Sequence, residues 1–290
     1  MSRLAVAYTA MLMRSRRLLG RWGSQETPSH LKGHRAAFRR LLLRYLIPAS
    51  TEWVRVQQGY ARGLWIRIDL ASERSWWAGG HERLVQEVLE QIVTENAVFY
   101  DIGAYIGFFS LLTARKEARV IAFEPDPENA TRLRAHADRN QLGDKIEIVE
   151  AAVWSDSVSS IPFRKGVPCS QGGVVYEKHE PILATGLTIR VRTTTLDDFV
   201  SCGGPEPQII KVDVEGSASE VLKGAVKTIR TSRPILIIEV HTFSEYDAVL
   251  QFLESLSYDI FWDIPLEQFP RHCFAFYGHT ATDSCKKYLC

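Results

Sequence analysis

Charged side chains recur at every second position in I-I-K-V-D-V-E-G, residues 209–216. Because side chains alternate faces along a β-strand, Lys211, Asp213 and Glu215 are predicted to share one face. A strand rich in Ile and Val is typical of a parallel sheet that is buried on both faces, where an unpaired charge is costly. Three charges in such a strand therefore indicate either a catalytic or binding site, or a buried ion-pair network.

A second apolar run ends in residues of the same kind. The string I-I-E-V-H, residues 237–241, places Glu239 and His241 two positions apart. If this strand lies beside the first, five ionisable groups converge at the carboxyl edge of the sheet. The alternative is an ion-pair network of Lys211, Asp213 and Glu239 that carries out no chemistry, since such networks also perturb pKa values.

A glycine turn and a strand-ending carboxylate indicate a nucleoside site. The run V-F-Y-D-I-G-A-Y-I-G, residues 98–107, breaks into a turn, and I-A-F-E-P, residues 121–125, ends at Glu124 and Pro125. The first βα turn of a doubly wound sheet lies beside the topological switch point, where ligands bind. The two oxygens of Glu124 can accept hydrogen bonds from both hydroxyls of a ribose.

Asp101 and the glycine spacing narrow the choice of nucleoside. The dinucleotide fingerprint is G-x-G-x-x-G, whereas Gly103 and Gly107 follow Asp101 in D-I-G-A-Y-I-G. A carboxylate there disfavours a pyrophosphate and suits a ligand with a cationic end, such as S-adenosylmethionine with its sulfonium and ammonium groups. The alternative is that Asp101 only caps the following helix.

The order and spacing of seven motifs resemble the FkbM family of S-adenosylmethionine-dependent methyltransferases, from about residue 81 to residue 242. The motifs are D-I-G-A-Y-I-G-F-F-S (101–110), A-F-E-P (122–125), E-A-A-V (150–153), T-L-D-D-F (195–199), I-K-V-D-V-E-G (210–216), V-L-K-G-A (221–225) and I-E-V-H (238–241). The segment W-A-G-G-H-E, residues 77–82, also resembles the family's entry segment.

The resemblance implies a fold and a set of cofactor contacts. The fold is α/β, a Rossmann-like class I methyltransferase sheet of seven strands, the last antiparallel, with helices on both faces. The implied methionine-side residues are those of the glycine turn, the implied ribose ligand is Glu124, and the residues after Glu150 pass near the adenine. The implied cofactor-binding residues are Asp101, Gly103, Ala104, Tyr105, Gly107, Glu124, Pro125, Ala152 and Val153. Tyr105 departs from the family's frequent Asn, and Tyr is less favourable than Asn at positive φ.

The resemblance also implies the reaction, since characterised relatives mostly methylate hydroxyls. The expected acceptor is a hydroxyl on a small molecule, a sugar or a glycan. The protein must align acceptor, methyl and sulfur, and a hydroxyl acceptor also needs a proton sink. His241 is the natural base near neutral pH and Asp213 is its rival, while Glu215 is expected to position the acceptor. Lys211 either lowers the pKa of the acceptor or neutralises Asp213.

Three alternatives stay open at this point. Asp213, Glu215, Glu239 or His241 could bind a divalent metal, because carboxylates and imidazole suit Mg or Mn, but the spacing is not diagnostic and no metal is predicted. A nicotinamide-dependent oxidoreductase conflicts with the glycine spacing and with Asp101. A non-catalytic nucleoside-binding module conflicts with the retained carboxylates.

The elements that must position these residues alternate between strand and helix. Strand-like runs occupy 97–102, 119–123, 145–149, 208–214 and 234–240, and helical runs occupy 81–96, 108–116, 127–140, 217–231 and 244–256. Runs 258–262 and 272–277 predict an antiparallel hairpin that closes the sheet edge. The alternation stops between Val153 and Gln208, which predicts an insertion before the fourth core strand with short strands of its own.

Charge divides the 290-residue chain unevenly. Residues 1–50 contain ten Lys or Arg and only Glu26 as an acid, although the whole chain carries a net charge of +1. We expect a basic N-terminal extension with a helix and short strands over 1–75, and a methyltransferase domain over 76–290. Five scattered cysteines without C-x-x-C favour reduced thiols and a cytoplasmic location. No nucleic-acid partner is predicted, and peripheral membrane contact through the basic segment is the alternative to a solvated helix.

Overall fold

A computed structural model of the chain describes residues 51–70, 72–157, 160–165, 173–174, 187–264 and 268–278. The predicted N-terminal helix and most of the basic extension lie outside these ranges. Within them, no helix has both the length and the apolar character needed to cross a membrane.

Fourteen strands and eight helices make up the described part of the chain. The strands are β1 (Thr51–Arg55), β2 (Trp65–Asp69), β3 (Val98–Ile102), β4 (Arg119–Phe123), β5 (Ile146–Val149), β6 (Ala152–Val153), β7 (Ile161–Arg164), β8 (Gly173–Val174), β9 (Thr188–Val191), β10 (Thr193–Thr194), β11 (Ile209–Val212), β12 (Ile235–Val240), β13 (Tyr258–Trp262) and β14 (Arg271–Tyr277). The helices are α1 (Arg74–Ala78), α2 (Arg83–Ile92), α3 (Phe108–Ala114), α4 (Pro127–Arg139), α5 (Leu196–Ser201), α6 (Ala218–Lys223), α7 (Val226–Ser232) and α8 (Phe243–Ser255).

The central sheet confirms the predicted class I topology. Its seven strands run in the order β13-β14-β12-β11-β3-β4-β5. Strands β12, β11, β3, β4 and β5 pair in parallel, whereas β14 is antiparallel to both of its neighbours. The carboxyl ends of β3 and β11 therefore lie side by side at the centre of one sheet edge, with the end of β12 next to them.

Alternate residues of the strands pack into two separate hydrophobic cores, one on each face of the sheet. Phe99 and Ile209 pack with α2, α3, α4 and the β1–β2 hairpin on one face. Tyr100 and Ile210 pack with α6, α7 and α8 on the other face. The predicted layer of helices on both faces is confirmed. The β1–β2 hairpin shares the first of these cores with the sheet. The division of the chain at residue 75 stays a prediction.

The predicted insertion is also present. Strands β7, β8 and β9 form a small antiparallel sheet, and β6 pairs in parallel with β10. These strands lie between β5 and β11, before the fourth core strand.

Two predicted elements differ from the structure. The single helix expected over 217–231 is two helices, α6 and α7, that break at Gly224. A Cβ on Gly224 would lie 1.9 Å from the carbonyl oxygen of Trp154, so the insertion packs directly against the break. The strand expected over 208–214 ends at Val212, because Glu215 and Gly216 adopt positive φ angles of 49° and 91° and turn the chain toward α6. The predicted strand alternation therefore does not extend to Asp213 and Glu215.

Candidate active site

The sequence predicts that residues 101–107, at the end of β3 and before α3, bind the cofactor, and we call this segment the cofactor loop. It contains two glycines with positive φ. Gly103 has a φ of 79°, and a Cβ there would lie 1.8 Å from the carbonyl oxygen of Asp213. Gly107 has a φ of 78°, and its Cβ would lie 2.5 Å from Cγ of Leu133 in α4. Any other residue would be strained and would also clash. These contacts bring the end of β11 against the loop.

Asp101 does not cap the helix that follows it. Helix α3 begins after Gly107, and no side chain caps its first turn. Asp101 is 1% exposed and accepts a hydrogen bond of 2.6 Å from the hydroxyl of Ser110. Burial raises the pKa of this carboxyl, although Lys211 nearby opposes the effect. Asp101 is therefore a buried acid at the base of the loop.

Glu124 ties the loop to the end of β4. Its Oε2 accepts a 2.8 Å hydrogen bond from the backbone N–H of Tyr105, and its Oε1 accepts one of 2.9 Å from the N–H of Asp126. Asn129 Nδ2 lies 3.4 Å from Oε1. Burial raises the pKa of Glu124 to about 8. Oε1 already has two donors, whereas Oε2 can accept one further hydrogen bond, so the side chain retains capacity for a ribose hydroxyl.

The remaining predicted cofactor residues surround the carboxyl ends of β3, β4 and β5. Ala104 is buried, and its N–H donates to the carbonyl of Phe123 at 3.1 Å. Pro125 follows Glu124 and leads into α4. Ala152 and Val153 form β6 and are both buried.

Lys211 is the centre of a charged cluster on the face of the sheet that packs against α2 and α3. Its ammonium lies 2.9 Å from Asp213 Oδ2, 3.7 Å from Glu82 Oε2 and 4.6 Å from the ring centre of Phe109. Burial lowers the pKa of Lys211, but the carboxylates of Asp213 and Glu82 outweigh burial and raise it overall. The side chain is therefore a permanent cation.

Asp213 and Glu239 share a hydrogen bond within this cluster. Burial raises the pKa of Asp213, but Lys211 together with the hydrogen bond from Glu239 and the neighbouring His241 lowers the pKa overall. Burial and the neighbouring charge of Asp213 raise the pKa of Glu239 well above its usual range. A hydrogen bond between two carboxyl groups needs one proton, and the raised pKa of Glu239 favours Glu239 as its donor.

His241 lies beside this pair, at the end of β12. Its Nε2 is 3.3 Å from Glu215 Oε2 and 3.6 Å from Glu239 Oε2, and its side chain is 9% exposed. The backbone N–H of His241 donates to Glu245 Oε2 at 2.7 Å, which fixes the start of α8. Burial, and then the charge of Asp213, raise the pKa of Glu215 to about 8. All five ionisable groups predicted from the two strands thus meet at one edge of the sheet.

Three further residues of the cluster were missed by sequence reasoning. His272 of β14 lies 3.2 Å from Glu82 Oε2 through Nε2, and 2.8 Å from Asp263 Oδ2 through Nδ1. Burial lowers the pKa of His272, but the two carboxylates raise it to about 9 overall. Glu82 belongs to W-A-G-G-H-E and could have been found from that segment. No local pattern marks His272 or Asp263, because the terminal hairpin brings them to the site.

Two overlapping triads have the chemistry of a divalent-metal site. One consists of Glu82, Glu239 and His272, and the other of Asp213, Glu239 and His241; within each triad the ligand atoms lie within 4.8 Å of one another. Both use Glu239, whose pKa is raised well above its usual range. Lys211 and the His272 imidazolium supply positive charge to the same carboxylates.

The sheet order, the glycine turn and the acid after β4 define a class I methyltransferase. Residues 101–260 match the family model described as methyltransferase FkbM domain. That match covers more than half of the chain, and the protein belongs to this family of S-adenosylmethionine-dependent methyltransferases. Nothing in the comparisons supports the nicotinamide alternative.

Similar proteins include one curated relative and several solved structures. The relative is the hexuronic acid methyltransferase AglP of Haloferax volcanii. It is 28% identical in an alignment of 210 residues, which covers 66% of this chain and 80% of that protein. The FkbM methyltransferase of Methylobacillus flagellatus KT is 20% identical with a TM-score of 0.46, over 65% of this chain but only 45% of that one. The precorrin-6y C5,15-methyltransferase of Geobacter metallireducens GS-15 is 12% identical with a TM-score of 0.42, over 68% and 89% of the two chains.

Proposed function

We propose that this protein transfers the methyl group of S-adenosylmethionine to a hydroxyl of a sugar or glycan. The observation that carries the proposal is the charged cluster of Asp213, Glu215 and His241, which lies beside the cofactor loop at the carboxyl ends of β11 and β12. The similarity to a hexuronic acid methyltransferase makes a hydroxyl of an acidic sugar the first acceptor to test.

The cofactor would lie across the ends of β3, β4 and β5. The cofactor loop, with Asp101 at its base, would face the methionine end, whose ammonium and sulfonium groups suit a carboxylate. Glu124 would accept a ribose hydroxyl through Oε2, and Ala152 and Val153 would line the adenine. In this arrangement the methyl group points toward the cluster around Asp213.

His241, paired with Glu215, is the proton sink that the geometry favours. Asp213 is a weak base, because its carboxylate is bound to Lys211 at 2.9 Å and its pKa is lowered. His241 can take up the proton on its imidazole, and Glu215, 3.3 Å from Nε2, stabilises the resulting cation once its own carboxyl is ionised, which a pKa of about 8 favours above neutral pH. Lys211 then keeps Asp213 ionised, so that Asp213 can orient the acceptor.

We propose that the reaction proceeds without a metal ion. In-line displacement at a methyl carbon neutralises a sulfonium and requires alignment rather than a Lewis acid. Lys211 and His272 already neutralise the carboxylates that a metal would need. The basic segment 1–50 stays a candidate for contact with an anionic membrane surface.

The test is transfer of a labelled methyl group to a panel of sugars. The panel pairs each hexuronic acid glycoside with the matching neutral hexoside, and the product is mapped to its hydroxyl by mass spectrometry. We expect H241Q and E215Q to lower kcat, with H241Q losing roughly 100-fold or more, the usual contribution of a general base. The control E117Q removes an exposed carboxylate that pairs with Lys145 and should leave kcat unchanged.

Two results would count against this proposal. Label on nitrogen or carbon, or no transfer to any hydroxyl by a protein that binds S-adenosylmethionine, would contradict O-methylation. A greater loss of kcat in D213N than in H241Q would assign the base to Asp213 instead.

A further inference from the structure

Tyr105 occupies a backbone conformation that its side chain does not favour. Its φ is 51°, in the left-handed region, and it lies in the middle of the cofactor loop. Its N–H donates to Glu124 at 2.8 Å, so the loop and the proposed ribose ligand are joined at this residue. A non-glycine residue at positive φ is stable only where its surroundings hold it in place.

The phenol of Tyr105 is held by a buried ion pair. Its hydroxyl donates to Glu73 Oε1, and Glu73 is 2% exposed. Arg132 of α4 approaches both oxygens of Glu73, at 2.8 Å and 3.1 Å, and its Nη1 lies 3.3 Å from the Tyr105 hydroxyl. Such two-pronged pairs between Arg and a carboxylate fix geometry as well as adding energy. We call Tyr105, Glu73 and Arg132 the latch.

The latch is anchored in strand β2. Glu73 Oε2 also accepts a 2.7 Å hydrogen bond from the N–H of Asp69. Arg132 Nη2 donates to the carbonyl of Arg67 at 2.7 Å. The ring of Trp76 in α1 lies 5.5 Å from the ring of Tyr105. These anchors all precede residue 101, where the match to the family model begins.

A second link joins β2 to the same loop. His136 Nε2 accepts a 2.7 Å hydrogen bond from the N–H of Arg67, so Nδ1 carries the proton and donates to the carbonyl of Ile106 at 2.8 Å. Asn140, the residue that follows α4, binds both the N–H and the carbonyl of Trp65, at 2.8 Å and 2.7 Å. Helix α4 therefore ties β2 to two adjacent residues of the cofactor loop.

We propose that the latch sets the conformation of the cofactor loop, and that Tyr105, Glu73 and Arg132 are positioning residues for S-adenosylmethionine. Without the latch, the left-handed turn at Tyr105 relaxes and the contact between Tyr105 N–H and Glu124 loosens. Arg67, Asp69 and Glu73 are then part of the cofactor site, although they lie before the family-matched segment. The proposal rests on the proposed cofactor role of the loop and Glu124.

The test compares the cofactor binding of two Tyr→Phe variants, each of which lacks one hydroxyl group. Y105F removes the hydrogen bond to Glu73 and keeps the ring. The control Y258F removes a 3.0 Å hydrogen bond to the carbonyl of Pro234, a buried contact elsewhere in the fold. Calorimetry would measure Kd for S-adenosylmethionine and S-adenosylhomocysteine, thermal unfolding would measure stability, and steady-state kinetics would separate kcat from the two KM values.

We expect Y105F to weaken cofactor binding about 10-fold, within the range for a lost hydrogen bond to a charged group. The KM for the acceptor and kcat at saturating cofactor should stay unchanged, and Y258F should bind as the wild type does. E73Q should weaken binding in the same direction, and Y105F combined with E73Q should lose less than the two single effects multiplied, because both break one network.

Unaltered cofactor affinity in Y105F, or an equal loss in Y258F, would overturn the latch as a positioning device. If the wild type itself binds no S-adenosylmethionine, the proposed cofactor site fails and the latch fails with it. If the wild type binds S-adenosylmethionine and Y105F binds it with the same Kd, only the positioning role of the latch is refuted.

Discussion

Ionisation of Glu124 is expected to control the affinity for S-adenosylmethionine. Burial raises the pKa of this carboxyl to about 8, above the ordinary value of 4.5. In the free protein the group is therefore mostly protonated at neutral pH. A ribose hydroxyl that donates to the carboxylate favours its ionised form, so binding must release a proton. Affinity should consequently rise with pH until the pKa of the free protein is passed.

The size of the effect follows from that pKa. With a pKa of about 8, roughly 1% of Glu124 is ionised at pH 6 and about half at pH 8. If the bound form is fully ionised, Kd should fall about 50-fold between these two pH values. The perturbation that isolates the effect is E124Q, which keeps the shape of the side chain and removes its titration.

Calorimetry at pH 6, 7 and 8 provides the assay, in buffers of different ionisation enthalpy that report the proton released. The amino group of the ligand also titrates near pH 8, so the informative quantity is the difference between wild type and E124Q. We expect the pH dependence attributable to Glu124 to disappear in the variant. The same dependence in both proteins, or no proton release by the wild type, would refute this account of Glu124.

Three further predictions follow from the structure. Burial lowers the pKa of His136 to about 4, so the folded protein binds fewer protons than the unfolded chain between pH 6.5 and 4. The free energy of unfolding should therefore fall by about 2 kcal/mol from pH 7 to pH 5 through this residue, and denaturant titration of H136Q should lack that component. G224A should lower the free energy of unfolding by about 1–3 kcal/mol or more, because the added methyl group would clash with the carbonyl of Trp154. The control G80A adds a methyl group that faces open space, and its denaturant midpoint should stay close to that of the wild type. Dialysis against EDTA should leave methyl transfer unchanged, and restoration of lost activity by Mg or Mn would instead assign a metal to the triads that share Glu239.

Much of the fold could be predicted because its signals are local. The parallel strands are short, mostly apolar runs that end in a glycine turn or beside ionisable residues, and parallel pairing places such ends at one edge. The convergence of Lys211, Asp213, Glu239 and His241 follows from that geometry. So does the place of Glu124 beside the glycine turn.

The features that could not be predicted depend on contacts between distant segments. The break at Gly224 arises because the insertion brings the Trp154 carbonyl against it. Glu215 contacts His241 from a left-handed turn rather than from a strand. The two residues meet as predicted, but strand alternation is not the cause of their contact. His272 reaches Glu82 only because the chain returns as an antiparallel strand that lies between β12 and β13.

The most direct test of the central claim is a titration of the folded wild-type protein with S-adenosylmethionine and, separately, with NADH at pH 8, alongside E124A. We expect the wild type to bind S-adenosylmethionine with a micromolar Kd and not to bind NADH. We expect E124A to bind S-adenosylmethionine much more weakly. Failure of a demonstrably folded sample to bind S-adenosylmethionine, or binding of NADH in its place, would contradict it.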